Sequence, residues 1–126
     1  MIKNSTIVKI VHRHTQYVVV ESAIWCSSRL CRLKGLQFSK PLQPHQGLLL
    51  ANKNEGVASS SIHMFFVFFP IAAIWINNDG LITSAQLAKP WRPYYASPKP
   101  ARYILEASPE ILSRVSVGDE VEFLPK

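Results

Sequence analysis

The strongest limit on the fold comes from the way in which nine prolines and clusters of turn residues break the chain into short apolar runs. These runs are rich in β-branched and aromatic residues, and no long segment places apolar residues at helical spacing. Proline disrupts the interior of a helix but is tolerated in turns and at strand ends. The pattern therefore predicts a β protein rather than a helical one.

Alternating apolar and polar residues between turn signals predict about seven short strands. The segments are Thr6–Val11, Tyr17–Ile24, Gly47–Leu50, Ile62–Phe69, Ile71–Ile76, Leu81–Leu87, Arg102–Ala107 and Glu120–Leu124, with the fourth and fifth open to being one bent strand. The clearest hairpin turn is Asn77-Asn78-Asp79-Gly80. In the strand Arg102–Ala107, alternation places Tyr103 on the inner face and Glu106 on the outer face.

Two short helices are predicted from their capping residues. Ser28–Lys34 begins at a serine cap and ends at Gly35, and we expect its residues Leu30 and Leu33 to pack on the sheet. Pro109–Arg114 begins with a serine cap followed by proline. With 126 residues, 48% of them hydrophobic and 17% charged, the chain is expected to form a single domain over residues 1–126. The fold class is all-β, a compact sandwich or barrel with one or two short helices.

Cysteine usage and hydropathy bear on the cellular compartment. Cys26 and Cys31 are five positions apart, form no C-x-x-C motif and have no second pair to complete a zinc site. We expect both to be reduced thiols in a cytoplasmic protein, since no signal peptide is visible. Residues 57–76 are uncharged, but serines and Pro70 interrupt them, so no membrane span is predicted.

Several short blocks, taken in order, resemble the bacterial and archaeal family named domain of unknown function 192. The resemblance covers about residues 25–123, and its blocks are Leu33-Lys34-Gly35-Leu36, Gln46-Gly47-Leu48-Leu49-Leu50, Ser61-Ile62-His63-Met64-Phe65-Phe66, Phe69-Pro70-Ile71, Asn78-Asp79-Gly80, Lys89-Pro90-Trp91-Arg92, Tyr103-Ile104-Leu105-Glu106 and Val117-Gly118-Asp119. The resemblance implies a small, mostly β domain of jelly-roll-like topology and implies no activity. One departure is Ala72, which stands where the family usually has Asp.

The leading functional prediction is a non-catalytic binding or accessory module, for a small-molecule or protein ligand, with its site at His63 and the Trp91-Arg92 loop. Flat rings and a forked cation in one loop are suited to stacking and to pairing with a carboxylate or phosphate. Tyr103, Glu106 and Asp119 complete the set of candidate binding residues. The alternative for the loop is structural: Trp91 covers a sheet edge and Arg92 pairs with Glu106 or Asp119.

Two further function classes stay open. The first is a small hydrolase-like enzyme that uses His63 with Glu106 or Asp119, which a close cluster of the three in one concavity would favour. The second is binding of a polyanion or nucleic acid by the basic half, because residues 1–60 carry eight Lys or Arg against two Glu. No nucleotide-binding or metal-ligand motif is present, so no cofactor is predicted.

Overall fold

One seven-stranded sheet dominates the computed structural model, which describes residues 2–126. Its strands are β1 (Ile7–His12), β2 (Val18–Cys26), β3 (Gln46–Gly56), β4 (Ile71–Ile76), β5 (Ile82–Ala88), β6 (Ala101–Ala107) and β7 (Val121–Pro125). Their order across the sheet is β5-β4-β6-β3-β2-β1-β7. The predicted all-β class is confirmed. Each strand pairs with at least one other strand, which either follows it in a hairpin or comes from a distant part of the chain.

Strand β2 pairs with β3 in parallel, whereas the other neighbouring strands pair antiparallel. A parallel pair needs a crossover connection, and here residues 27–45 supply it. This crossover contains helix α1 (Arg29–Lys34), whose cap Ser28 accepts a hydrogen bond from the amide of Cys31 at 3.2 Å. The crossover passes over one face of the sheet and so helps to cover it.

The sheet curls until its two outermost strands meet at one end. Leu81, just before β5, forms an isolated bridge with Glu120, just before β7. The amide of Ile82 donates to the carbonyl of Asp119 at 2.8 Å, and the amide of Gly118 donates to the carbonyl of Ile82 at 2.9 Å. The result is a half-barrel made from a single sheet.

Both faces of the sheet carry a core, and all six residues of β4 are buried. On one face Ile10, Leu49, Ile74 and Leu105 pack together and are closed by Ile111 of the short 3₁₀ helix Pro109–Arg114. The opposite face packs Leu50, Met64, Trp75 and Ile104, among others. Trp75 is fully buried, and its Nε1 donates to the carbonyl of Ser60 at 2.7 Å. Segment 57–70 and the crossover therefore act as the second layer over this face.

The predicted strand Ile62–Phe69 is wrong. Only Ile62 pairs in this region, in an isolated bridge with Tyr95, and Phe66 has a φ of 61°, which no strand residue adopts. Met64 and Val67 are buried, whereas Phe65 and Phe66 between them are exposed, so the segment lacks the alternation of a strand. Met64 and Val67 are buried because the segment covers the sheet, without pairing with it as a strand.

The packing predicted for α1 is also wrong, because Leu30 and Leu33 are 81% and 65% exposed. The six-residue helix buries none of its residues. The side chain that anchors the crossover is Leu36, directly after the helix, which is 6% exposed and packs with Met64. The remaining predicted helix, Pro109–Arg114, is confirmed in position as a 3₁₀ helix.

Cys26 and Cys31 form a disulfide, which corrects the prediction of two reduced thiols. That prediction rested on the lack of a C-x-x-C motif and of a visible signal peptide. Cys26 ends β2 and Cys31 lies in helix α1, and their Cα atoms are 5.6 Å apart. Because disulfides persist mainly in oxidising compartments, the predicted cytoplasmic location loses the support of reduced cysteines.

Candidate ligand-binding site

Glu106 is the one acidic side chain that the described residues bury, at 4% exposure. It lies on β6 opposite Leu48 of β3 and Ala73 of β4, in the middle of the sheet. The sequence placed Glu106 on an outer face, and this is wrong because the crossover and segment 57–70 cover that face. Its Oε1 atom is fully buried and has no hydrogen-bond partner within residues 2–126.

Burial raises the pKa of Glu106 from 4.5 to about 7. Removing a carboxyl group from water disfavours its charged form, and this burial is the cause of the raised pKa. A carboxyl group with a pKa near neutrality exists in both protonation states at physiological pH. It can therefore accept a hydrogen bond as a carboxylate or donate one as an acid.

The carboxyl group of Glu106 faces a small cavity of about 80 Å³ between the crossover and segment 57–70. Arg32, Lys34 and Gly35 line the cavity on the crossover side, and His63 lines it on the other side. A Cβ atom at position 35 would lie 3.6 Å from Oε1, so the glycine backbone passes close to the acid. The cavity therefore combines one buried acid with two cations and an imidazole.

His63 is exposed, and its Nδ1 accepts a hydrogen bond from the amide of Phe65 at 3.2 Å. With Nδ1 as the acceptor, the neutral ring carries its proton on Nε2 and has a donor to offer a ligand. His63 and Glu106, both predicted from the sequence as candidate residues, line one cavity.

The Trp91-Arg92 loop lies beside the same segment. The amide of Met64 donates to the carbonyl of Arg92 at 2.8 Å, and the amide of Trp91 donates to the carbonyl of Met64 at 2.9 Å. Trp91 is 46% exposed, and its ring contacts those of Phe66 and Phe68. Within residues 2–126 the guanidinium of Arg92 forms no ion pair, so the pairing with Glu106 or Asp119 that was considered for it is absent.

Tyr103 and Asp119 lie apart from this cavity. Tyr103 packs against Trp25 and Phe123 on the opposite face of the sheet, where the three rings line a separate open cavity of about 550 Å³. Asp119 precedes β7, and its Oδ2 accepts from the amide of Ser116 at 2.8 Å. The predicted residues therefore divide into three places, and Asp119 does not join His63 and Glu106 in one concavity.

The cations of the basic half divide in a similar way. Arg13 is held at the far end of the sheet by Glu120, with 2.6 Å between Nη1 and Oε2. Arg29, Arg32 and Lys34 share helix α1, and the last two reach the cavity. Gly35 is not among the predicted site residues, because its sequence signal is only that of a helix-ending residue within a family block.

Ala72 does not face the cavity. It is fully buried in the core that contains Leu105, whereas its neighbour Ala73 stands opposite Glu106. Successive residues of a strand point to opposite faces. An aspartate at position 72 would therefore enter the other core, so this departure leaves the cavity as it is.

Comparisons with known proteins found a family and individual proteins that are similar to this chain. The model of the family DUF192, described as an uncharacterised ACR, matches residues 6–123. A UPF0127 protein of Thermococcus kodakarensis is 32% identical over 98 residues, which is 76% of this chain and 60% of that protein. A UPF0127 protein of Pyrococcus furiosus is 32% identical over 94 residues, 73% of this chain and 78% of that protein. The chain thus spans less than two thirds of the Thermococcus kodakarensis relative.

Two solved structures share the fold. A Sinorhizobium meliloti protein, provisionally described as a transcription regulator, superposes with a TM-score of 0.82 and 20% identity, covering 98% of this chain and 97% of that one. A Novosphingobium aromaticivorans protein of unknown function gives a TM-score of 0.78 at 18% identity, over 92% of this chain and 83% of that one. No helix within residues 2–126 has the length and apolar character needed to cross a membrane.

Proposed function

Because the chain belongs to the domain of unknown function 192 family, whose UPF0127 relatives carry no stated activity, we propose a function from the site alone. The domain is a binding module for a small polar ligand that gives a hydrogen bond to Glu106. The observation that carries this proposal is that Glu106 lines the cavity as a buried carboxyl group whose Oε1 has no hydrogen-bond partner within residues 2–126.

An unsatisfied buried oxygen is costly to a fold. Leaving such a group without a hydrogen bond costs about 1–3 kcal/mol, and nearly all buried polar atoms in proteins have a partner. A ligand hydroxyl or ammonium group would supply the missing donor. The missing hydrogen bond and the position of Glu106 among the lining residues of the cavity together favour a binding role over a purely structural one.

The other charges of the cavity narrow the ligand class. Arg32 and Lys34 are both positive, and Glu106 is the one acid among the lining residues. A ligand with a donor at one end and a carboxylate at the other would satisfy both charge types. The volume of about 80 Å³ restricts it to a small molecule, such as a short hydroxy acid or amino acid.

The test is a thermal-shift titration with three matched probes: glycolate, glycine and acetate. Glycolate and glycine carry a donor and a carboxylate, whereas acetate lacks the donor. We expect either donor-bearing acid to stabilise the protein, by about 2.7 kcal/mol at a hundred times its dissociation constant. Glu106→Leu, which removes the acceptor, should abolish the effect, and Glu110→Leu, at an exposed position, should keep it. Equal stabilisation by acetate, or none by the other two, would reject the proposal.

An acid–base enzyme is the second candidate, because His63 and Glu106 line one cavity and the pKa of Glu106 is near 7. General acids and bases work best with a pKa close to the operating pH. Its test follows bound probes by NMR over hours. Chemical conversion by the wild type, lost in both Glu106→Gln and His63→Ala, would favour catalysis, whereas unchanged probe spectra would favour simple binding.

A further inference from the structure

Four aromatic side chains form a continuous exposed cluster outside the Glu106 cavity, here called the aromatic surface: Phe38, Phe66, Phe68 and Trp91. Their exposed fractions are 70%, 42%, 59% and 46% in that order. Phe38 stacks on Phe66 at 4.9 Å between ring centroids, and Trp91 meets the edges of Phe66 and Phe68 at 5.0 and 5.5 Å. Large rings gathered in this way at a protein surface mark an interaction site.

The backbone is strained where it presents these rings. Phe38, Phe66 and Trp91 have φ angles of 59°, 61° and 66°, in the left-handed region that bulky residues rarely occupy. The three are among five such non-glycine residues in the described chain. Strain of this kind persists only where the surroundings hold it and is concentrated at functional sites.

Backbone hydrogen bonds hold the three loops that carry the rings. The amide of Phe38 donates to the carbonyl of Phe66 at 2.9 Å, and the amide of Trp91 donates to the carbonyl of Met64, also at 2.9 Å. Met64 itself is fully buried. The rings are thus fixed in place on the folded protein, so their exposure is a built feature of the fold.

The surroundings of the aromatic surface are basic. The three segments that form it, residues 34–45, 57–70 and 89–100, contain no Asp or Glu. They contain five cations, which are Lys34, Lys40, Lys89, Arg92 and Lys99. A partner that satisfies this surface needs an apolar layer for the rings and a negatively charged layer around it.

We propose that the aromatic surface binds the headgroup region of an anionic lipid bilayer. Phenylalanine and tryptophan rings enter the boundary between headgroups and acyl chains, and Lys and Arg are attracted to anionic headgroups. A single-stranded nucleic acid is the less suitable partner, because the rings pack on one another and do not stand apart as separate platforms for successive bases.

The tryptophans of the chain provide the readout. Trp75 is fully buried and Trp25 is 7% exposed, so a change in the solvent environment of tryptophan fluorescence reports on Trp91. On addition of vesicles of equal phosphatidylglycerol and phosphatidylcholine, we expect a blue shift of the emission and quenching by brominated acyl chains. Vesicles of phosphatidylcholine alone should bind at least tenfold more weakly, and added salt should weaken the binding to anionic vesicles.

Two variants separate the surface from the fold. Phe38→Ala and Phe68→Ala should each weaken binding about tenfold while Trp91 remains as the reporter. The matched control is Tyr17→Ala, which removes a ring that is 74% exposed in the turn between β1 and β2. The charge variant Lys89→Gln with Arg92→Gln should lower the binding and its salt dependence together.

Several results would overturn the proposal. One is the absence of a spectral shift with anionic vesicles, and another is equal binding by the wild type and both phenylalanine variants. A blue shift of Trp91 with oligonucleotides but not with vesicles would assign the surface to nucleic acid. A concentration-dependent dimer that shields Trp91 in sedimentation and quenching experiments would assign it to a second copy of the chain. None of these results depends on the Glu106 cavity.

Discussion

Gly35 and Glu106 line the same cavity and lie close together. A Cβ atom placed on Gly35 would stand 3.6 Å from the Oε1 atom of Glu106. Gly35 ends helix α1 with a φ of 51°, a conformation that side chains rarely allow. One residue therefore reverses the chain after the helix and leaves open the approach to the buried acid.

The stability of the protein should depend on pH through Glu106. Its pKa is about 7 in the folded state against 4.5 for an ordinary glutamate, so the folded state binds the proton more tightly. The carboxyl group therefore costs nothing below about pH 4.5, and its penalty grows as the pH rises to 7, reaching about 3 kcal/mol. Urea denaturation from pH 5 to 8 should show the wild type losing stability relative to Glu106→Gln.

The control for this experiment is Glu110→Gln, which removes an exposed carboxylate. Its stability should follow that of the wild type at every pH. A constant difference between the wild type and Glu106→Gln across the range would mean that Glu106 ionises normally in the folded protein.

Gly35→Ala should destabilise the fold by about 1–3 kcal/mol because of its positive φ. The matched variant is Gly118→Ala, whose φ is 97° and whose added methyl group would meet nothing within 4 Å. Both variants carry a backbone cost, but only the methyl group at position 35 shields the acid. Of the two variants, only Gly35→Ala should raise the pKa of Glu106 and so shift the loss of stability to higher pH. The same shift in Gly118→Ala would contradict this account.

Reducing the disulfide between Cys26 and Cys31 should cost about 2 kcal/mol. The bridge closes a short loop with a sequence separation of 5, and the chain-entropy estimate for so small a loop is near that value. Urea denaturation with and without dithiothreitol measures the change. The double variant Cys26→Ala with Cys31→Ala should be insensitive to the reductant, and a wild type that is equally insensitive would argue against the bridge.

Backbone strain at Phe38 should reverse the usual order of two substitutions. Glycine adopts a positive φ without steric cost, so Phe38→Gly should be more stable than Phe38→Ala by about 1 kcal/mol. At Phe68, which has no positive φ, glycine should be the less stable of the two. Urea denaturation of the four variants gives the comparison, and the same order at both positions would show that Phe38 is unstrained.

Local pattern was sufficient to place most of the strands. The runs Ile71–Ile76 and Arg102–Ala107, for example, were predicted within one residue of β4 and β6. Strand β3 was predicted to be short, at Gly47–Leu50, but extends through the polar residues Asn52, Lys53 and Asn54 to Gly56. Backbone pairing at a sheet edge or end does not require apolar side chains, so hydropathy alone sets the limits of such a strand too tightly.

The site was harder to predict because it depends on contacts between distant parts of the chain. The alternation in β6 assigns Glu106 to one face correctly, but whether that face meets solvent depends on the crossover after β2. The crossover in turn exists because β2 and β3 are parallel, and no local pattern signals that arrangement. His63 and Trp91 were predicted as candidates from their residue types, whereas the position of Gly35 beside Glu106 required the fold.

The strand order also determines how the chain can reach its folded state. Strand β1 pairs with β7, so that Val8 stands beside Pro125, and β3 cannot complete its pairing until β6 has been made. Among the described strands, only β1–β2 and β4–β5 are local hairpins that can form early. Pairing between distant strands must first overcome the entropy cost of closing a long loop. During synthesis, the β1–β2 hairpin therefore leaves the ribosome long before β7, the outer partner of β1, has been made. The half-barrel closes only once β7 is present.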